Sequence, residues 1–235
     1  MKKYRLFFLT LLLIYSLDFY SIMAQNTTSS TANCIRSFMP KYNQLLPLET
    51  INKYYSVPAT AKMNYLPGLM SKKFNVDRYS YRWKAERKEK IKLLSREIEQ
   101  NVSNEIGLTW VGNDLFMMPR KATPKENFVF FYRNVSEAEK NSNLDKAATQ
   151  IKQEGHGAKT TDEAVGIGKE MSTGNIDYKT VEGIGEAAVW NIKEKSLIVL
   201  VGNVSFQVIA HISANQDENI TLAKKLATEV INKCK

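Results

Sequence analysis

The chain has 235 residues, of which 43% are hydrophobic and 24% charged, and it carries a formal net charge of +9. That balance is globular and excludes wholesale disorder, collagen and a multi-span membrane protein. Two cysteines and two histidines exclude a disulfide-dense mini-scaffold and an all-cysteine zinc site, and they leave little for a metalloenzyme.

The chain opens on Lys2, Lys3 and Arg5, followed by a twelve-residue apolar run from Leu6 to Leu17 that Asp18 closes; Ala24 then precedes Gln25. This is the pattern of a secretory signal peptide over 1–24. A membrane anchor is the alternative, and twelve residues fall short of the roughly 20 that span a bilayer. Cleavage removes three cations and one anion, so +9 becomes +7 over the 211 residues that remain. The product is expected in an oxidising compartment, secreted or periplasmic.

Residues 25–33 are small and polar and read as a disordered leader, with a single domain from 34 to 235. Thr31-Ala32-Asn33 lacks the apolar-small-small pattern of a lipid-attachment site before Cys34. Secretion instead makes a bridge between Cys34 and Cys234 chemically available, two buried thiols being the alternative. Paired, the two cysteines close a loop of about 200 residues, for which chain entropy gives roughly 5 kcal/mol as an upper figure.

Residues 47–55 predict a short helix, with Pro47 in its first turn and Glu49 at its positive end; Pro58 and Pro67 mark a loop. Over 77–84, Tyr79, Tyr81 and Trp83 alternate with Ser80, Arg82 and Lys84, the pattern of a half-buried strand. From Ala85 to Val102 the period changes: Ile91, Leu94, Ile98 and Val102 recur at three- and four-residue steps and predict an amphipathic helix. A strand is expected over 105–111, then a turn at Gly112-Asn113-Asp114 and a return strand over 115–118. The aromatic run 127–133 predicts another strand.

Ser136 and Glu139 have the spacing of a capping box, opening a helix to about Gln153 with Leu144, Ala147, Ala148 and Ile151 on one face. Gly155 and Gly157 around His156 break it, and a second short helix carries Ala164, Ile167 and Met171. In the last third, 187–192 and the doubly apolar 196–201 are strands joined at Lys193-Glu194-Lys195. Gly202-Asn203 is a hairpin turn into a strand over 204–212, and a closing helix near 219–233 buries Leu222, Ala223, Leu226, Val230 and Ile231. Strands joined by tight turns, with helices between them, define an α+β fold: an antiparallel sheet with helices packed on it.

The stretch Val181-Glu182-Gly183-Ile184-Gly185-Glu186-Ala187-Ala188-Val189-Trp190, followed by an apolar strand, a Gly202-Asn203 turn, another strand and a helix with Leu226-Ala227, resembles the C-terminal half of small bacterial secreted proteins and lipoproteins of unknown function. The resemblance covers about 181–232 and implies a PsbP-like α/β sandwich, with Tyr79, Tyr81 and Trp83 on the first aromatic strand. It implies no catalytic residue.

No nucleophile elbow or HExxH motif occurs, and Gly183-x-Gly185-x-x-Ala188 leads into a strand, where a dinucleotide site needs a helix. His156 and His211 read as surface or satisfied residues. No catalytic residue, metal ligand or cofactor is therefore assigned. Five N-x-S/T triplets, at Asn26, Asn101, Asn134, Asn203 and Asn219, read mainly as chance and capping. The residues 72–92 hold nine cations against three acids, interleaved with aromatics. Arg78, Arg82, Lys84, Arg87 and Lys88 with Tyr81 and Trp83 form a candidate surface for an anionic glycan, a lipid headgroup or an acidic protein; the alternative is a solvated charged face behind an inward aromatic stripe. Nucleic acid is not expected, nor is a transmembrane span in the mature chain. The reading is a non-catalytic binding or accessory protein of the cell envelope; a hydrolase with a dispersed site, or a structural subunit of an envelope complex, are the alternatives.

Overall fold

A computed structural model describes residues 29–39, 41–66, 77–93, 96–114, 122–154 and 177–235. The expected signal peptide, residues 25–28 of the leader, the return strand over 115–118, and His156 with the short helix behind it lie outside these ranges.

Helices α1 (29–37), α2 (Tyr42–Leu45) and α3 (Leu48–Asn52) lead into strands β1 (Lys62–Leu66), β2 (Arg78–Leu93) and β3 (Arg96–Asn113). Helices α4 (Pro124–Phe131) and α5 (Glu137–Gln153) follow. Then come β4 (Tyr178–Thr180), β5 (Ala187–Asn191), β6 (Ser196–Val201), β7 (Val204–His211) and the closing helix α6 (Gln216–Lys233). All seven strands form one antiparallel sheet in the order β1-β2-β3-β7-β6-β5-β4. Two meanders, β1–β3 and β4–β7, meet along the β3–β7 ladder. The expected α+β class is what the chain adopts.

One sheet face carries the main core. Tyr79, Ile106, Leu108, Trp190, Leu197, Val199, Phe206, Val208 and Ala210 point to it and meet Leu222, Ala223, Leu226 and Val230 of α6, with Ile35, Tyr42, Leu45, Leu46 and Ile51 from the N-terminal helices. These are the α6 residues that the 3.6-residue period singled out, joined by Ile220 and Ala227. On the second face Phe128 and Tyr132 cover Val189, Ile198 and Leu200. Strand β6 is buried along its whole length, as a strand with covers on both sides must be. Gly202 turns the β6–β7 hairpin at φ 58°, the left-handed conformation expected there.

Cys34 and Cys234 are bonded, with Cα atoms 5.5 Å apart across 200 residues of sequence. This corrects the leader for its last five residues. Positions 29–33 begin α1, and Ala32 and Ile35 are fully buried in the core. A nine-residue helix this polar does not hold by propensity; packing and the bridge hold it.

The largest correction concerns 85–102. The segment is the continuation of β2 and the start of β3, not a helix. Its apparent helical period arises because two strands fold back on one another: Ile91 and Ile98, seven apart in sequence, are register partners, and Lys90 is opposite Glu99. Such opposed opposite charges support strand pairing. The expected turn at 112–114 likewise begins inside β3, where Trp110 (φ 54°) lies at an irregularity of the β3–β7 pairing between Thr109 and Asn113.

The strand expected over 127–133 is helix α4. Thr123 accepts the Glu126 N–H and the Glu126 carboxylate accepts the Thr123 N–H, with Pro124 in the first turn. These start signals fix the helix, whereas a short apolar run by itself fits either state. At α5, Ser136 Oγ accepts the Glu139 N–H at 3.2 Å as expected, but the Glu139 carboxylate turns to Arg133. Asn219 bonds Ile212 N, Ser213 N and Ser213 O from full burial, a capping role. Strands β1 and β4 and helix α2 have no counterpart among the sequence expectations. They are three to five residues long, too short for a periodic signal.

Candidate functional site

Strand β2 divides the expected basic-aromatic surface. Successive side chains of a strand point to opposite faces, so Tyr79, Tyr81 and Trp83 turn inward while Arg78, Ser80, Arg82 and Lys84 line the second face. Tyr79 is buried and its ring sits 5.7 Å from that of Tyr81, their hydroxyls bonded at 3.1 Å. Trp83 is half-buried and packs on Tyr55 at 5.7 Å. Tyr81 and Trp83 therefore share no face with Arg78, Arg82 and Lys84, and the aromatic half of the expected surface belongs to the core.

The cations divide in turn. Arg78 clamps Glu105 with two bonds of 2.8 Å, and Arg82 approaches the same carboxylate at 3.5 Å. Burial alone would raise the Glu105 carboxyl, but the Arg78 and Ser80 bonds and the nearby Arg82 charge outweigh it and hold it below the usual carboxylate range. Arg87 turns inward, bonding Glu89 at 3.1 Å, the Asn104 side chain, and the Ile212 carbonyl at 3.4 Å. Glu89 also meets His211 Nε2 at 2.7 Å. Burial opposes ionisation of Glu89, and its bonds to His211 and Arg87 lower its pKa despite that. Arg78 and Arg87 are thus tied to acids of the fold.

Lys84 and Lys88 remain exposed, and Lys90 with them. An irregularity between Lys84 and Lys88 leaves them on one side, because their partners Ser103 and Asn101 are two residues apart on β3. Lys90 follows opposite Glu99. Arg82, Lys84, Lys88 and Lys90 therefore form one row. It runs past the body of the sheet: β1 pairs with β2 only from Arg78 to Arg82, and β7 pairs with β3 only from Glu105 onward. Beyond these points β2 and β3 continue as a two-stranded arm. Lys90 entered the sequence reading only as one charge among nine. Carrying the two-residue alternation past Lys84 places Lys90 in this row, and the exposed Glu86 with it.

The 181–190 stretch is built for packing. Gly185 sits at φ 59°, and a Cβ there would lie 2.4 Å from the Leu200 carbonyl. Its neighbour Glu186 donates its N–H to Leu200 O and accepts the Gly202 N–H on its carboxylate. Lys224 of α6 holds the Glu182 carbonyl at 2.8 Å, and Trp190 is fully buried. Two clefts flank this loop, one of about 650 Å³ beside Thr31, Ile231 and Cys234, the other of about 450 Å³ beside Phe128, Tyr132 and Thr180.

No helix among the described residues is long and apolar enough to cross a membrane. In comparisons with known proteins, no family model, no curated protein and no solved structure matches the chain.

Proposed function

We propose that the protein is a non-catalytic binding module of the cell envelope, secreted or periplasmic, that holds an anionic glycan or lipid headgroup through the row Arg82, Lys84, Lys88 and Lys90. The observation that carries this reading is the row itself: Lys84, Lys88 and Lys90 continue on one side of the β2–β3 ribbon past its last pairings with β1 and β7, and Arg82, paired with β1 and 3.5 Å from Glu105, stands at its root. Lys84 and Lys88 lie opposite the neutral Ser103 and Asn101, so no cross-strand acid faces them. The Cys34–Cys234 bond supports an oxidising compartment. The likeness of Val181–Trp190 to secreted proteins with a PsbP-like sandwich points the same way.

Co-sedimentation with vesicles, and retention on an anionic glycan, compare wild type with K84Q/K88Q. A basic residue near an anionic surface contributes about 1 kcal/mol, so the double variant should bind roughly 30-fold more weakly. Raised salt should release the wild type. Both side chains are exposed, so the unfolding midpoint should not move. Equal binding by both proteins would remove the reading.

A second reading, a subunit of an envelope complex, is favoured by one observation. Val129, Phe131 and Val135, on or beside α4, are 54%, 49% and 37% exposed, an apolar surface of the kind that protein partners cover.

A further inference from the structure

The sheet ends at β4, a strand of three residues whose outer edge faces no other strand among the described residues. In an antiparallel ladder alternate residues direct both backbone groups to the partner, and those between direct both away. Asp177 O accepts from Ile192 N, and Val181 N donates to Ala188 O. Asp177, Lys179 and Val181 therefore face β5, while Tyr178 and Thr180 direct their N–H and C=O groups outward.

The outward groups of Tyr178 are both taken by one side chain from the turn between α4 and α5. Tyr178 N donates to Asn134 Oδ1 at 2.8 Å, and Asn134 Nδ2 donates to Tyr178 O at 3.0 Å. A carboxamide has the donor and acceptor of a peptide group, so this is the hydrogen-bonded pair that an adjoining strand would make, supplied by a side chain. We infer that Asn134 guards the open edge of the sheet: its carboxamide stands in for an eighth strand and keeps β4 from pairing with β4 of a second copy.

The physical need is plain. An unpaired edge is a template for strand addition, and proteins blunt such edges with short strands, charges or covers. Outward pairs recur every second residue, about 6.8 Å along the strand. With Tyr178 closed, an incoming strand meets Thr180 as the only outward residue left in β4, and a single pair does not nucleate a ladder. Removal of the carboxamide restores two consecutive outward residues. Tyr178 is anchored beneath this contact by its ring, 5.5 Å from that of the buried Tyr132. The inference is independent of the basic arm, which lies at the other end of the sheet.

Three proteins test it: wild type, N134A, and N134A/T180P. Thr180 N–H points away from β5, so proline at 180 removes no ladder bond and blocks only an added strand. Sedimentation at increasing concentration should show a monomeric wild type, a self-associating N134A, and a double variant returned to monomer. Amide exchange of the wild type supplies a measurement that needs no variant: Tyr178 N–H should exchange more slowly than Thr180 N–H. A monomeric N134A, self-association that survives T180P, or equal exchange at 178 and 180 would overturn the inference.

Discussion

Breaking the Cys34–Cys234 bond tests how the fold is closed. The bond joins residues 200 apart and ties the end of α6 to α1. In the chain-entropy treatment a loop of that length removes about 18 cal/mol/K from the unfolded chain, which is about 5 kcal/mol at 25 °C. Residual structure in the unfolded chain brings the figure down. The expected loss for C34A/C234A is therefore about 3–5 kcal/mol. At roughly 2–4 °C per kcal/mol for a domain of this size, the thermal midpoint should fall by roughly 6–20 °C. Urea unfolding followed by tryptophan fluorescence, to which Trp83, Trp110 and the buried Trp190 contribute, is the assay, with wild type measured both oxidised and reduced. Reduced wild type and the double variant should coincide. A loss below about 1 kcal/mol would refute the entropic argument, and two alkylatable thiols in unreduced protein would refute the bond itself.

Two further outcomes follow from the same contacts. Glu105 has a folded pKa below its ordinary value of 4.5, so its stabilising contribution is full above that value and is lost as pH falls through the depressed one. E105Q should flatten this acid limb of the stability curve, and should cost up to about 3 kcal/mol at neutral pH because Arg78 loses its partner; an unchanged limb in acid titration would count against the assignment. Thr123→Ala removes the cap that makes α4 a helix and should cost about 1 kcal/mol, read as a lower unfolding midpoint with Glu126→Ala adding little beyond it, since the two side chains act as one pair.

The legible parts of the chain were those with a strong local signal. The last third, from 187 to 233, carries doubly apolar or alternating runs, a Gly-Asn turn and a 3.6-residue stripe, and each element forms where its pattern places it. The start of α4 carries a local signal in Thr123-Pro124-Lys125-Glu126 that the expectation of a strand over 127–133 did not use. The segment 85–102 misleads because period is a one-dimensional quantity. Two strands of a hairpin, read end to end, mimic a helical repeat, and only pairing distinguishes them. The basic surface was legible as composition, but its division was not: which cations meet Glu105 and Glu89 depends on β3 and β7, which lie far along the chain.

By themselves the residues determined an α+β chain with a single cysteine pair, an inward aromatic stripe and a cluster of cations, because alternation, caps and charge are properties of neighbours in sequence. Tertiary structure decided the rest. It joined Cys34 to Cys234, made 29–33 the start of a helix that buries Ala32, set Arg78 on Glu105 and Arg87 on Glu89, left Lys84 and Lys88 on a projecting arm, and set Asn134 against the edge of β4. Each of these depends on groups brought together from distant positions, where the free energy of a contact is set by geometry and burial that no local pattern records.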